Sequence, residues 1–190
     1  MIRRWWCGLA VALVAGCSSA GPSSASPITA SPTTAPSAFL LTSPVMQQDG
    51  TLPIEFTCDG SSSTPPLAWS GAPAGTVGYA VVMHHVPGPG DTHWYWVVYG
   101  MDATIEHLDA GAVPSATVGT NSVNGRTEYA PPCSKGPGTK VYTFTVYALS
   151  AQPTLGDPST VTRAVLLDAL NGLVLSSATL DVTYDRTGLT

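Results

Sequence analysis

The side chains best suited to proton transfer or metal binding near neutral pH are the imidazoles, and this sequence holds them at His84, His85, His93 and His107. Adjacent residues on an extended strand face opposite sides, so at most one of His84 and His85 can join His93. Two imidazoles without a carboxylate or thiolate make a poor metal site, and no metal is expected. His107, in Glu106-His107-Leu108-Asp109, is expected to be a solvated loop residue. Nucleophilic and acid–base catalysis have no local signature. The chain has no Gly-x-Ser-x-Gly elbow, no paired carboxylates and no His-Glu-x-x-His arrangement. The expectation is a protein without enzyme activity or cofactor.

The cysteines carry a different chemistry, and their meaning depends on compartment. Residues 1–16 begin with Arg3 and Arg4, continue through a short apolar run and end in Val14-Ala15-Gly16 before Cys17. The run is too short to span a bilayer. It has the form of a secretory signal ending in a bacterial lipobox. In such signals the Cys thiol, here Cys17, receives diacylglycerol and the chain is cut before it. Cys7 leaves with the signal, so Cys58 and Cys133 remain in the folded part. An even pair in an oxidising compartment is a disulfide candidate.

After Cys17, residues 18–38 contain seven Ser, three Thr, five Ala and four Pro, with no charge. Such a stretch cannot bury a core, and its prolines favour extended backbone, so residues 17–38 read as a lipidated, semi-stiff tether. The remainder, residues 39–190, holds five basic and twelve acidic side chains, a formal charge of −7. With no cluster of Lys or Arg to neutralise phosphates, a nucleic-acid partner is not expected. Net repulsion from anionic lipid leaves membrane attachment to the anchor at Cys17.

Alternating or β-branched runs at 52–58, 79–86, 94–101 and 140–149 predict strands, with a last strand over 178–184. Turn-rich segments separate them. The pattern predicts an all-β dominated antiparallel β-sandwich. One short helix is expected near the C-terminus, capped by Ser159 or Thr160, running through Arg163, Leu166 and Leu170 and stopping at Asn171-Gly172.

Five blocks stand in a distinctive order: Cys58-Asp59-Gly60, Thr64-Pro65-Pro66-Leu67-Ala68-Trp69-Ser70, Tyr95-Trp96-Val97-Val98-Tyr99-Gly100, Gly119-Thr120-Asn121, and Pro132-Cys133 leading to Tyr142-Thr143-Phe144-Thr145-Val146-Tyr147-Ala148-Leu149. Together they resemble the phosphatidylethanolamine-binding protein family, in its bacterial Raf kinase inhibitor-like branch, over nearly all of residues 39–190. The resemblance implies two packed antiparallel sheets and a small anion pocket. That pocket is built in the family from an Asp-Pro-Asp-x-Pro loop, a His-Trp strand and a Gly-Pro-x-Pro-Pro loop leading to His-x-Tyr.

This chain departs at most of those positions. Placing Pro87 on the last proline of the first motif puts Met83 and His85 where the two Asp would sit. Placing Val97-Val98-Tyr99 on the family strand puts Tyr95 at the pocket His, whereas reading His93-Trp94 as the His-Trp motif requires two extra residues before Val97. A shift of two keeps a side chain on the same face, so His93 and Tyr95 point the same way under either alignment. Lys140 replaces the second pocket His, while Pro132, Cys133 and Tyr142 match; Ser134 and Lys135 replace the Pro-Pro pair.

The family's carboxylates are gone and a Lys ammonium has arrived in place of an imidazole, so the altered pocket would offer donors to a phosphate or carboxylate. The first functional expectation is therefore a lipid-anchored module that binds a small anion or lipid head group through Met83, His85, His93, Tyr95, Pro132, Lys140 and Tyr142. The alternative is a protein-interaction or inhibitor module for an envelope protein, with Met83 and Tyr95 simply filling a degenerate pocket. A purely structural envelope lipoprotein is the third reading.

Overall fold

The computed structural model describes residues 38–112, 116–134 and 138–186. The signal, Cys17 and all of the tether but Ala38 lie outside the described residues. Nine strands are described: β1 (Leu40–Thr42), β2 (Gly50–Thr51), β3 (Leu67–Ser70), β4 (Gly78–Gly88), β5 (Asp91–Asp102), β6 (His107–Leu108), β7 (Thr117–Val118), β8 (Lys140–Leu149) and β9 (Val174–Tyr184). They form a three-stranded sheet, β1-β3-β6, and a six-stranded sheet, β2-β9-β8-β4-β5-β7. The β2–β9 pair is parallel and every other pair antiparallel, so the larger sheet is mixed and the all-antiparallel expectation is corrected there.

The six-stranded sheet is covered on both faces. Tyr79, Val81 and Met83 of β4 and Tyr142, Phe144, Val146 and Ala148 of β8 enter the main core, where they meet Leu41, Leu67 and Trp69 of the smaller sheet. The alternate residues Ala80, Val82, Val97, Tyr99 and Leu149 face the other way and are covered by Leu166 and Leu170. Period-two side-chain alternation thus feeds two cores from each long strand.

Leu166 belongs to α1 (Arg163–Ala169), the single α-helix among the described residues. Thr162 caps it by accepting the Val165 N–H at 3.2 Å, satisfying one of the donors a helix start leaves free. Ser159 and Thr160, the expected caps, instead form a separate 3-10 turn, Pro158–Thr160, capped by Asp157. Burying Leu166 and Leu170 contributes about 2 kcal/mol each, which is what holds so short a helix in place.

The run at 52–58 is not a strand. Pro53 has no N–H to pair, and Ile54–Phe56 winds into a 3-10 turn with Phe56 N–H donating to Pro53 O and Thr57 N–H to Ile54 O, both at 3.0 Å. Gly60 follows because a Cβ there would lie 2.1 Å from Ile54 O.

A disulfide joins Cys58 and Cys133. Its sequence separation of 75 closes a long loop, which in the loop-entropy account removes about 4–5 kcal/mol of denatured-chain entropy. Next to it, Arg186 grips Asp59 bidentately, Nη2 to Oδ1 at 2.6 Å and Nε to Oδ2 at 2.7 Å, and Tyr184 Oη donates to the same carboxylate. The Arg186 guanidinium, then the Tyr184 hydroxyl, hold the Asp59 carboxyl below its ordinary range.

A native carboxyl depressed in this way contributes stability that is present above the ordinary carboxylate range and lost as pH falls through the depressed native value. Asp59→Asn should therefore lower Tm at pH 7, with the gap from the parent closing as melting scans move toward pH 2. A gap that stays constant across that range would mean the ionised carboxylate contributes nothing.

Candidate functional site

At one end of β4, β5 and β8 the inward residues change from apolar to polar. His85 on β4 lies directly opposite His93 on β5, and its ring stands 5.3 Å from that of Tyr142 on β8. Tyr95 meets Tyr142 edge to face at 5.2 Å. These four rings and Lys140, two residues before Tyr142, line a cavity of about 430 Å³ whose remaining lining is Pro87, Ser122, Val123, Cys133 and Ser134.

A β-bulge places Tyr95 there. Met83 pairs with Trp96 but His84 pairs with Trp94, so β5 carries Tyr95 as an extra residue, and Tyr95 and Trp96 both turn inward. Bulges commonly re-aim a side chain next to a site in this way. The outer wall is fixed by Gly119-Thr120-Asn121. A Cβ on Gly119 would lie 2.3 Å from Val161 O, and Thr120 N–H donates to that same carbonyl at 2.8 Å. Asn121 then bonds four backbone groups: Oδ1 accepts from Val123 and Asn124 N–H at 2.9 Å, and Nδ2 donates to Arg126 O at 3.0 Å and Glu128 O at 3.3 Å. Ser122 is clamped to Trp94, whose N–H donates to Ser122 Oγ at 2.8 Å. The wall carrying Ser122 and Val123 is thus set before any ligand arrives.

The polar groups of the cavity are unevenly satisfied. His85 Nδ1 lies 2.7 Å from Val141 O; a carbonyl only accepts, so Nδ1 carries a proton and Nε2 is the ring nitrogen left over. Among the described residues, Ser134 Oγ is buried with no hydrogen-bond partner and Tyr142 Oη with none beyond the adjacent Tyr95 hydroxyl. Burial pushes the Tyr142 phenol well up, with the neighbouring Tyr95 adding to it, and burial likewise raises Tyr95. Lys140 Nζ has one weak contact, Gly138 O at 3.5 Å. Exposed His93 sits 3.3 Å from Asp91, a surface pair worth little. No described residue lining the cavity is acidic.

The family model described as phosphatidylethanolamine-binding protein matches residues 42–185. This chain belongs to that family. Two solved structures are similar to it: a homologue from Chlamydia trachomatis, CT736, at 28% identity and TM-score 0.72 over 78% of this chain and 98% of that one, and Escherichia coli YbcL at 26% and 0.71 over 77% and 98%. An Aquifex aeolicus UPF0098 protein is 32% identical over 71% of this chain and 81% of its own length. LppC of Mycobacterium tuberculosis, which is named as a lipoprotein, is 34% identical over 60% of this chain and 58% of its own length.

As a phosphatidylethanolamine-binding protein family member, the chain brings His85, His93, Tyr95, Lys140 and Tyr142 together at one cavity. Met83 and Pro132, also expected there, lie outside the lining. Met83, two residues before His85 on the same face of β4, is fully buried in the main core. Pro132 is buried behind the wall, where its carbonyl accepts the Cys58 N–H at 3.1 Å. His84 faces the opposite side of the sheet, its imidazole held toward the neutral form by burial and then by Arg163. Ser122, Val123 and Ser134 were not predicted from sequence; for the first two, the signal was the Asn following Gly119-Thr120.

Tyr129 supplies a control for the cavity hydroxyls, since its buried Oη donates to Phe56 O at 2.7 Å. Tyr129→Phe should cost about 1–2 kcal/mol in urea unfolding, whereas Tyr142→Phe should leave stability unchanged or raise it. Equal losses in the two variants would mean that Tyr142 Oη has a further partner in solution.

Proposed function

We propose that this protein is an extracytoplasmic lipoprotein, held at the membrane by a diacylglyceryl group on Cys17, whose domain binds a small anion in the cavity floored by His85, His93 and Tyr142. The observation that carries the binding reading is the convergence of Lys140 with two buried hydroxyls in one cavity, Ser134 Oγ with no partner among the described residues and Tyr142 Oη with none there beyond the Tyr95 hydroxyl. Buried polar groups are normally bonded, and leaving two short of partners is costly unless something arrives to meet them. Tyr142 Oη can donate one hydrogen bond, Ser134 Oγ another, and the Lys140 ammonium supplies charge. Family membership supports a ligand site at this end of the sheet, and likeness to LppC supports the anchor. The role we assign is binding.

Titrating phosphate into the full chain in non-ionic detergent should raise Tm with the logarithm of concentration. Lys140→Met should weaken binding tenfold or more, in line with loss of a charge-assisted contact. A flat response in the parent would sink the anion site and leave docking of an envelope protein as the reading to pursue.

The anchor is tested separately. Cys17→Ala should move the protein from the membrane pellet to the soluble fraction or leave it unprocessed, and mass spectrometry of the parent should find diacylglycerol on residue 17. An unmodified Cys17 in the membrane-bound protein would overturn the lipoprotein assignment.

A further inference from the structure

Resting on the anion-binding reading, the geometry points to a narrower class of ligand: we infer that the cavity takes a phosphate monoester without an ammonium group and discriminates against zwitterionic phosphoethanolamine. The described lining offers a Lys ammonium, two imidazoles and the hydroxyls of Tyr95, Ser134 and Tyr142, Ser122 Oγ being already bonded to Trp94 as both donor and acceptor, but no carboxylate. An ammonium on the ligand would need an anionic or acceptor-rich partner. The acidic side chain that engages this lining is Asp91, exposed and already 3.3 Å from His93. His85 Nδ1 is committed to Val141 O, leaving Nε2 as the single ring acceptor when the imidazole is neutral. Lys140 repels a second cation in the same space.

The remaining lining fits what a monoester carries besides its phosphate. At about 430 Å³ the cavity is within the range typical of small-molecule sites and larger than inorganic phosphate needs. Val123, Pro87 and the Cys133 side of the disulfide supply an apolar wall for a neutral ester group, and the Tyr95 and Tyr142 rings close the inner end. Their edge-to-face packing turns the edge of one ring to the face of the other, so they form no open aromatic box to hold a cation by its π faces.

The test is calorimetric titration of the full chain in non-ionic detergent with inorganic phosphate, glycerol 3-phosphate, O-phosphoethanolamine and dihexanoyl phosphatidic acid. The result expected is binding of phosphate and both monoesters lacking an ammonium, with phosphoethanolamine at least tenfold weaker than glycerol 3-phosphate. Tighter binding of dihexanoyl phosphatidic acid than of glycerol 3-phosphate would mark a lipid as the source of the monoester; equal binding would mark a free ester. Both support the class.

Val123→Asp places a carboxylate on the rim at an exposed position whose backbone N–H bond to Asn121 is kept. It should shift the ratio of the two affinities about fivefold toward phosphoethanolamine, the scale of an exposed ion pair. Equal or tighter binding of phosphoethanolamine by the parent would overturn this inference while leaving anion binding intact. No binding of any of the four by a chain that still melts cooperatively would overturn both.

Discussion

The larger sheet is buried on both faces, and that constraint decides where a polar site can exist at all. Strand β4 supplies Val81 and Met83 to one core and Ala80 and Val82 to the other, all fully enclosed. An imidazole or ammonium at any of those positions would lose its hydration without gaining a partner, at a cost of several kcal/mol. Toward the cavity end of β4, β5 and β8 the inward positions turn polar. His85, His93 and Lys140 stand there, and Tyr142, with an apolar ring and a polar tip, stands at the boundary. The cavity is therefore the natural end of the core, formed by the same alternation that builds the core and lined by the next inward residues along the same strands.

What the strands leave open, distant parts of the chain must close. The wall opposite the sheet is the segment leading to Cys133 and Ser134, and it is tied down at one point by the disulfide to Cys58 and by Pro132 O accepting the Cys58 N–H. The adjacent Asp59 is held in turn by Tyr184 and Arg186. Three regions far apart in sequence thus converge behind one wall. Covalent, ionic and backbone bonds here restrain the same segment, so each limits the freedom the others would have to remove.

The long strands were legible because period-two patterning persists over ten or more residues, as in Lys140–Leu149, whose bounds the structure reproduces. Shorter elements were not: β2, β6 and β7 have two residues each, too few for any period. Leu52, Ile54 and Phe56 alternate as a strand does, yet Pro53 between them cannot donate to a ladder, and a local 3-10 turn satisfies the backbone instead. The two alignments of β5 disagreed because alternation alone has no place for a bulge. With Tyr95 as the extra residue, His93 and Tyr95 both reach the cavity while Trp94 packs outward against the helix-side core. Residues of the site on strands were thus readable from family motifs. Ser134 was noted only as a replacement for proline; its burial arises from tertiary closure of the wall, which local sequence does not encode.

A formal charge of −7 on residues 39–190 opposes an anion at long range, but the charges near the cavity act at shorter distances. Exposed carboxylates more than about 10 Å from the cavity are largely screened at an ionic strength near 0.1 M. Lys140 and the buried hydroxyls act across a few ångströms, where little solvent intervenes and a charge-assisted bond is strongest. The acidic excess also opposes contact with an anionic lipid surface. The proposed function separates attachment from recognition: the lipid proposed on Cys17 would set where the domain is, and the short-range donors at the end of the sheet would set what it holds.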